Sequence, residues 1–147
     1  LRKIKNFLNN ETFFMTYGDG VANINLDKLL KFHKNHKRKA TLTAVKPPAR
    51  FGAVEINQNN LVTQFKEKPL GEKAWINGGF FVLEPEALDD ISGDDSVWER
   101  EPLEKLSDDL EIAAFKHDGF WQPMDTLRDL SLLNDLWNSN SAPWKIW

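Results

Sequence analysis

Cysteine is absent from the 147 residues, which removes disulfide scaffolds, Cys-ligated zinc, iron–sulfur clusters and thiol nucleophiles in one step. No apolar run approaches the roughly 18 residues that a membrane span needs. The start, Leu1-Arg2-Lys3-Ile4-Lys5, lacks the long apolar region of a signal peptide, so no membrane partner is expected. Internal repeats and low-complexity segments are missing as well. Strong charge of either sign is also wanting: 19 Lys plus Arg stand against 22 Asp plus Glu, a net charge of −3 and a pI near 5.6. Domains that neutralise phosphate backbones are normally strongly basic, so no nucleic-acid partner is expected.

What is present suits a packed core: 41% hydrophobic residues, 12% aromatics and 28% charge in one domain's length of chain. A soluble protein in a reducing, cytoplasmic setting is the expectation. The chain opens on Leu1, not Met, inside the helical spacing Leu1, Ile4, Leu8, which suggests residues upstream. Next, Thr12-Phe13-Phe14-Met15-Thr16-Tyr17 reads as a buried strand closed by the turn Gly18-Asp19-Gly20. Leu26, Leu29 and Leu30 recur at helical spacing, Asn25 serves as N-cap, and Lys34, Lys37, Arg38 and Lys39 gather where the helix dipole favours cations. Ala40-Thr41-Leu42-Thr43-Ala44-Val45 reads as the next strand, giving a βαβ unit and an α/β class.

From Gly52 to Lys66, two apolar segments flank Asn57-Gln58-Asn59-Asn60, a β-hairpin whose Asn residues tolerate left-handed turns. A further strand, Ile76 to Leu83, carries Asn77-Gly78-Gly79, where paired glycines signal a ligand or another backbone close by, or a bulge. Pro85 starts a short helix, Trp98 to Leu106 reads as helical, and Ile112 to Phe115 as a strand. Thr126-Leu127-Arg128-Asp129 has capping-box spacing, opening a last helix that runs to about Asn138 with Leu130, Leu133 and Trp137 inward.

Asp19 follows an apolar strand, at the carboxyl edge where open α/β sheets bind ligands. Alone it reads more readily as a plain Asp-Gly turn, and Asp125 more readily as a helix N-cap. Brought together, the two carboxylates suit Mg²⁺, which keeps several waters and takes further ligands from substrate phosphates. In Glu67-Lys68-Pro69 the lysine is a mobile point charge suited to a phosphate, or else half of an exposed charged pair. Asn77 with Gly78 offers an amide and open backbone to sugar hydroxyls. His33 and His36, on a lysine-rich helix, read as a solvated face. Trp98 and Trp121 read as core or site wall, and Trp144 and Trp147 as candidates for a subunit contact.

Taken in order, Tyr17-Gly18-Asp19-Gly20-Val21, Arg50-Phe51-Gly52-Ala53, Phe65-Lys66-Glu67-Lys68-Pro69, Ile76 to Leu83, Trp98-Glu99-Arg100-Glu101-Pro102-Leu103 and Gly119 to Asp129 resemble the sugar nucleotidyltransferase family across nearly the whole chain, and within it the branch that makes CDP-glucose. The resemblance implies a Rossmann-like mixed sheet, incomplete at its N-terminus, with the β-hairpin as an insertion, and residues 1–147 as the C-terminal portion of a single nucleotidyltransferase domain. It implies a Mg²⁺-dependent reaction of CTP with α-D-glucose 1-phosphate that releases pyrophosphate. Such products feed the 3,6-dideoxyhexoses of bacterial surface polysaccharides, including O-antigen. By the same likeness Asp19 and Asp125 match the metal carboxylates and Lys68 the lysine on the sugar phosphate. Tyr17, Gly52, Glu67, Asn77 and Gly78 match substrate-binding positions, and the complete protein is expected to be a homo-oligomer. The family's G-G-x-G-T-R loop, which holds the nucleotide phosphates, has no match in this sequence. The chain alone is therefore expected to be inactive or nearly so, with part of its sheet edge and apolar face uncovered. The alternatives are another sugar-1-phosphate nucleotidyltransferase and a non-catalytic sugar-phosphate-binding subunit.

Overall fold

The structure is a computed structural model that describes residues 1–47, 53–58, 60–66, 75–89 and 91–145. Its centre is a four-stranded mixed sheet. The strands are β1 (Phe13–Thr16), β3 (Ala40–Val45), β6 (Ile76–Leu83) and β7 (Ile112–His117), in the order β1-β6-β3-β7. Strand β6 runs antiparallel to both β1 and β3, and β7 runs parallel to β3. The expected βαβ unit is therefore split. β1, α1 (Leu26–His36) and β3 follow one another in sequence, but β6 lies between the two strands. All three parallel strands end at the edge where β6 begins, and the site is built there.

Side chains on β6 alternate between two cores, as the pleat demands. Phe81 and Leu83 face one layer with Ala87, Leu88, Ile91, Trp98 and Leu106. Val82 and Phe80 face the other with Ile24, Leu29 and Leu30. Because both faces are covered, the strand reads as the unbroken run Phe80-Phe81-Val82-Leu83. Fully burying each of these side chains contributes roughly 1.5–3 kcal/mol.

Helix α1 starts where expected, with the Asn25 side chain accepting from the Lys28 N–H at 2.8 Å. The hairpin forms from β4 (Ala53–Ile56) and β5 (Val62–Lys66), and Asn60 takes φ 62° in its turn. Helix α2 (Glu101–Asp108) begins later than the pattern suggested, since residues 98–100 form turns before it.

Several expectations are corrected. Residues 2–7 form a 3-10 helix, not an α-helix, and only Leu8 of the Leu1, Ile4, Leu8 pattern packs on the core. Among the described residues strand β1 is an edge strand, and Phe14 is 48% exposed on it. Helix α3 (Leu127–Asn138) has the bounds expected, yet only Leu133 of its stripe is buried. Leu130 and Trp137 are half-exposed because the face they share meets little of the described chain. Of the two tryptophans considered for a subunit contact, Trp144 stacks on Phe120 with ring centroids 5.4 Å apart, and Trp147 lies outside the described residues.

His33 is not on a solvated face. It continues the Leu26, Leu29, Leu30 face at position i+4 from Leu29 and is 1% exposed. Its Nδ1 lies 2.8 Å from the Thr41 hydroxyl and its Nε2 3.1 Å from a Glu84 carboxylate oxygen, while His36 Nε2 lies 2.7 Å from the same Thr41 hydroxyl. The His36 Nδ1 accepts from the Arg38 N–H at 3.0 Å, so its Nε2 carries the proton of a neutral ring and donates to Thr41. Thr41 then donates to His33 Nδ1, and His33 Nε2–H donates to Glu84. This one-way chain requires both histidines to be neutral. Burial, foremost, pushes both pKa values down, against the pull of Glu84 on His33.

Candidate active site

Two strands of three residues each assemble the site: β2 (Gly20–Ala22) and β8 (Trp121–Pro123), paired antiparallel with Gly20 opposite Pro123 and Ala22 opposite Trp121. The ladder continues one step further, as the Met124 N–H donates to the Asp19 carbonyl at 2.6 Å. Asp19 enters this ribbon and Asp125 leaves it at the same end, so the two are diagonal neighbours although 106 positions separate them (125 − 19). The N-cap of α3 is Thr126, not Asp125. Thr126 and Asp129 form a complete capping box, and Gln122 donates to Asp129 Oδ1 at 2.9 Å. The segment carrying Asp125 is thus anchored on both sides while the capping task falls to its neighbour.

The second wall comes from β6. Its register against β3 shifts between Leu42 and Ala44, so the Gly78 and Gly79 region bulges. Both readings of the paired glycines hold together here. A Cβ on Gly78 would lie 2.8 Å from Val45 Cγ1 and 3.0 Å from the Thr43 carbonyl, and one on Gly79 would lie 2.7 Å from the Tyr17 ring. Gly79 also takes φ +76°, a conformation that side chains resist. The Trp121 indole N–H donates to the Gly78 carbonyl at 2.8 Å, and the Tyr17 N–H donates to the Gly79 carbonyl at 2.9 Å. Asn77 is held from both ends: its Oδ1 accepts from the Gly79 N–H at 2.8 Å and its Nδ2 donates to the Tyr17 hydroxyl at 3.0 Å.

These walls enclose a cavity of about 170 Å³ lined by Tyr17, Asp19, Asn77, Gly78, Trp121 and Asp125 among others. That is below the roughly 300 Å³ of pockets enclosing a whole small ligand, so the described residues accommodate part of one. Five positions singled out in the sequence meet there: Tyr17, Asp19, Asn77, Gly78 and Asp125. Gly52, Glu67 and Lys68 lie outside the described residues. Sequence reasoning gave no role to Glu99, whose acidic group bears on the Tyr17 hydroxyl. Burial first, then Glu99 and the charge of Asp19, push the Tyr17 pKa well above its ordinary value, against the opposing Asn77 hydrogen bond. The phenol therefore stays protonated throughout the physiological range.

No cluster of three or more His, Asp or Glu side chains suited to a metal occurs among the described residues. Two oxygen-donor carboxylates at one cavity mouth nonetheless fit a hard cation such as Mg²⁺, which binds through one or two carboxylates and completes its shell from phosphates and water. A carboxylate pair, an oriented amide, a phenol and an indole wall together suit a phosphorylated, hydroxyl-rich ligand.

The fold and this site define a class. Residues 1–141 match the nucleotidyl transferase family, and the chain belongs to it. It is 51% identical over 148 aligned residues to a glucose-1-phosphate cytidylyltransferase of Salmonella typhi, covering 100% of this chain and 57% of that protein. It is 33% identical over 139 residues to a mannose-1-phosphate guanyltransferase of Saccharomyces cerevisiae, covering 86% of this chain and 38% of that protein. Among solved structures, HddC from Yersinia pseudotuberculosis shares the fold with a TM-score of 0.65 at 17% identity, over 92% of this chain and 60% of that one. The chain thus spans little more than half the length of the Salmonella relative. The Rossmann-like mixed sheet expected from the sequence is the fold observed.

Proposed function

We propose that this chain contributes to the transfer of CMP from CTP to α-D-glucose 1-phosphate, giving CDP-glucose and pyrophosphate. The observation that carries the proposal is the convergence of Asp19 and Asp125 with Tyr17, Asn77 and Gly78 on one cavity. The high identity to the Salmonella cytidylyltransferase supports the choice of nucleotide and sugar. Asp19 and Asp125 would hold Mg²⁺, and Asn77, with Glu67 and the Gly78 backbone, would receive the sugar hydroxyls. Tyr17 and Gly52 would line the substrate, and Lys68 would meet the sugar phosphate. When bound, the cation offsets negative charge on the reacting phosphates. A phosphate oxygen of the sugar attacks the α-phosphorus of CTP, and the bond from that phosphorus to the bridging oxygen breaks, so pyrophosphate leaves with its electron pair. Such a transfer asks the protein for positioning and charge compensation, without a covalent enzyme intermediate.

Residues 1–147 would then form the C-terminal portion of one nucleotidyltransferase domain. The work of a glycine-rich phosphate loop is not assigned to any of them. A homo-oligomer, a cytoplasmic location and a role in making 3,6-dideoxyhexose-containing polysaccharides such as O-antigen belong to the same reading. The likeness to a mannose-1-phosphate guanyltransferase favours, as the second reading, a different nucleotide and sugar in the same reaction. Competition among CTP, GTP, UTP and dTTP with glucose 1-phosphate or mannose 1-phosphate, on the complete protein with Mg²⁺, separates the two. CDP-glucose as main product supports the first reading, and preferential turnover of another pair overturns it.

A further inference from the structure

We propose that the far end of the sheet carries a second binding site, for a phosphate dianion that is either free or carried by a small molecule. It is formed where α1 and β6 both end. From Asn77 at the candidate active site to Glu84 here, β6 and the residue after it run seven positions (84 − 77), about 23 Å of extended chain. A cavity of about 360 Å³ opens at this end, lined by Lys34, Lys37, Arg38, Lys39, Glu84 and Glu86 among others. Its volume is about twice that of the cavity beside Asp19 and lies in the range that holds a whole small ligand.

Four cations meet two carboxylates on this wall, in a chain whose net charge is −3. Glu84 is already engaged, since it accepts from Thr12 and Lys34 and lies against His33. Lys34 is thereby compensated. The Arg38 guanidinium donates to the Leu110 carbonyl, a neutral acceptor that leaves its charge unanswered. Among the described residues no ion pair reaches the ammonium groups of Lys37 and Lys39. Glu111 accepts the Lys39 N–H at 3.2 Å but does not line the cavity. Two ammonium groups and a guanidinium therefore line one cavity against Glu86 alone. A phosphate dianion answers that excess, because lysines meet it as mobile point charges and arginine as a fork of donors.

The dipole of α1 accounts for a cation in its last turn, such as Lys34. Lys37 goes beyond that. It ends the helix in the left-handed conformation, φ 57° and ψ 26°, where a glycine carries no steric cost. A lysine there keeps an ammonium group at the cavity at the expense of the backbone. The turn after it is tied down at several points. The His36 ring accepts from the Arg38 N–H at 3.0 Å, Lys39 donates to Glu111, and the Glu84 N–H donates to the Lys39 carbonyl at 2.8 Å. Binding thus meets a backbone already ordered, which lowers its cost. No Trp, Tyr or Phe lines the cavity for base stacking, so a small anion suits it better than a nucleic-acid strand.

The test follows the backbone amide signals of Lys34, Lys37 and Lys39 by NMR in the complete protein, prepared with nitrogen-labelled lysine and titrated at constant ionic strength. Inorganic phosphate should move these signals saturably, and chloride should not. Asp125→Asn, at the other end of the sheet, should leave the response unchanged. Read on the Lys34 signal, Lys37→Gly should weaken binding about threefold and Lys37→Gly with Lys39→Gln about tenfold, the scale of one and two partly exposed ion pairs. Because glycine suits the left-handed position, Lys37→Gly should raise the thermal midpoint in the absence of phosphate, which separates weaker binding from lost structure. Glycerol 3-phosphate distinguishes the two sources of the group. Tighter binding than inorganic phosphate assigns the site to a phosphorylated molecule, and equal or weaker binding assigns it to the free ion. An unchanged affinity in the double variant, or an equal response to chloride, overturns the site. Displacement of phosphate by a short single-stranded oligonucleotide at lower concentration also overturns it, and makes this face a nucleic-acid surface instead.

Discussion

Gly79 shows how much a single residue carries here. It combines a φ of +76° with a ring 2.7 Å from where a Cβ would sit, so Gly79→Ala must either strain the backbone or displace Tyr17. The expected cost is about 1–3 kcal/mol, read as a lower urea midpoint. The acid response is also set by single residues. His33 and His36 are held below their usual 6.5, so on acidification the unfolded chain takes up protons first and stability falls as pH drops through that value. Burial works to raise the Glu84 pKa, but hydrogen bonds from Thr12, Lys34 and His33 override it and keep the group below its usual 4.5. Its contribution is therefore full above 4.5 and is lost as pH falls from there through the lower folded-state value. Unfolding free energy should decline from pH 7.5 to pH 5, and His33→Gln should flatten the decline. A His33→Gln protein with the same slope would contradict the neutral-histidine chain. The sequence hid this network, because a histidine among lysines looks solvated until the helix face opposite β3 is known.

The elements that matter most for the site are the shortest. Strands β2 and β8 have three residues each, too few for any periodic pattern, and neither was visible in the sequence. Asp19 and Asp125 were visible only as residues that also suited a turn and a cap. What unites them is the antiparallel register, which depends on contacts across most of the chain. Longer elements were legible in proportion to their local signals: the Asn25 cap, the Asn-rich hairpin turn, β6 and the Thr126 box all lie where the residues placed them. The insertion of β6 between β1 and β3 was not legible, because strand order is set by packing and not by local pattern. The capping box has a consequence of its own. Thr126→Ala should cost about 1 kcal/mol and loosen the segment that carries Asp125, whereas Thr126→Ser should recover most of the stability. Thermal unfolding of the two variants, alongside metal titration, checks both statements.

At the scale of the molecule, one sheet edge stands out. Among the described residues strand β1 pairs on one side only, Phe14 is 48% exposed, and an apolar cavity of about 180 Å³ lies beside it, lined by Phe14, Met15, Leu26, Leu29, Phe80 and Phe81 among others. An unpaired apolar edge of this kind promotes association. Phe14→Lys should lower self-association of the chain in light scattering with little loss of stability, within about 0.5 kcal/mol. The sheet end where β6 begins carries the chemistry: two aspartates from distant segments on one ribbon, lining one cavity with an asparagine on a bulged strand. The account depends above all on that pair of carboxylates. Its most direct test is the rate of CDP-glucose formation by the complete protein carrying Asp125→Asn, with CTP, glucose 1-phosphate and Mg²⁺. The account predicts a loss of roughly a hundredfold or more, and an undiminished rate would contradict it.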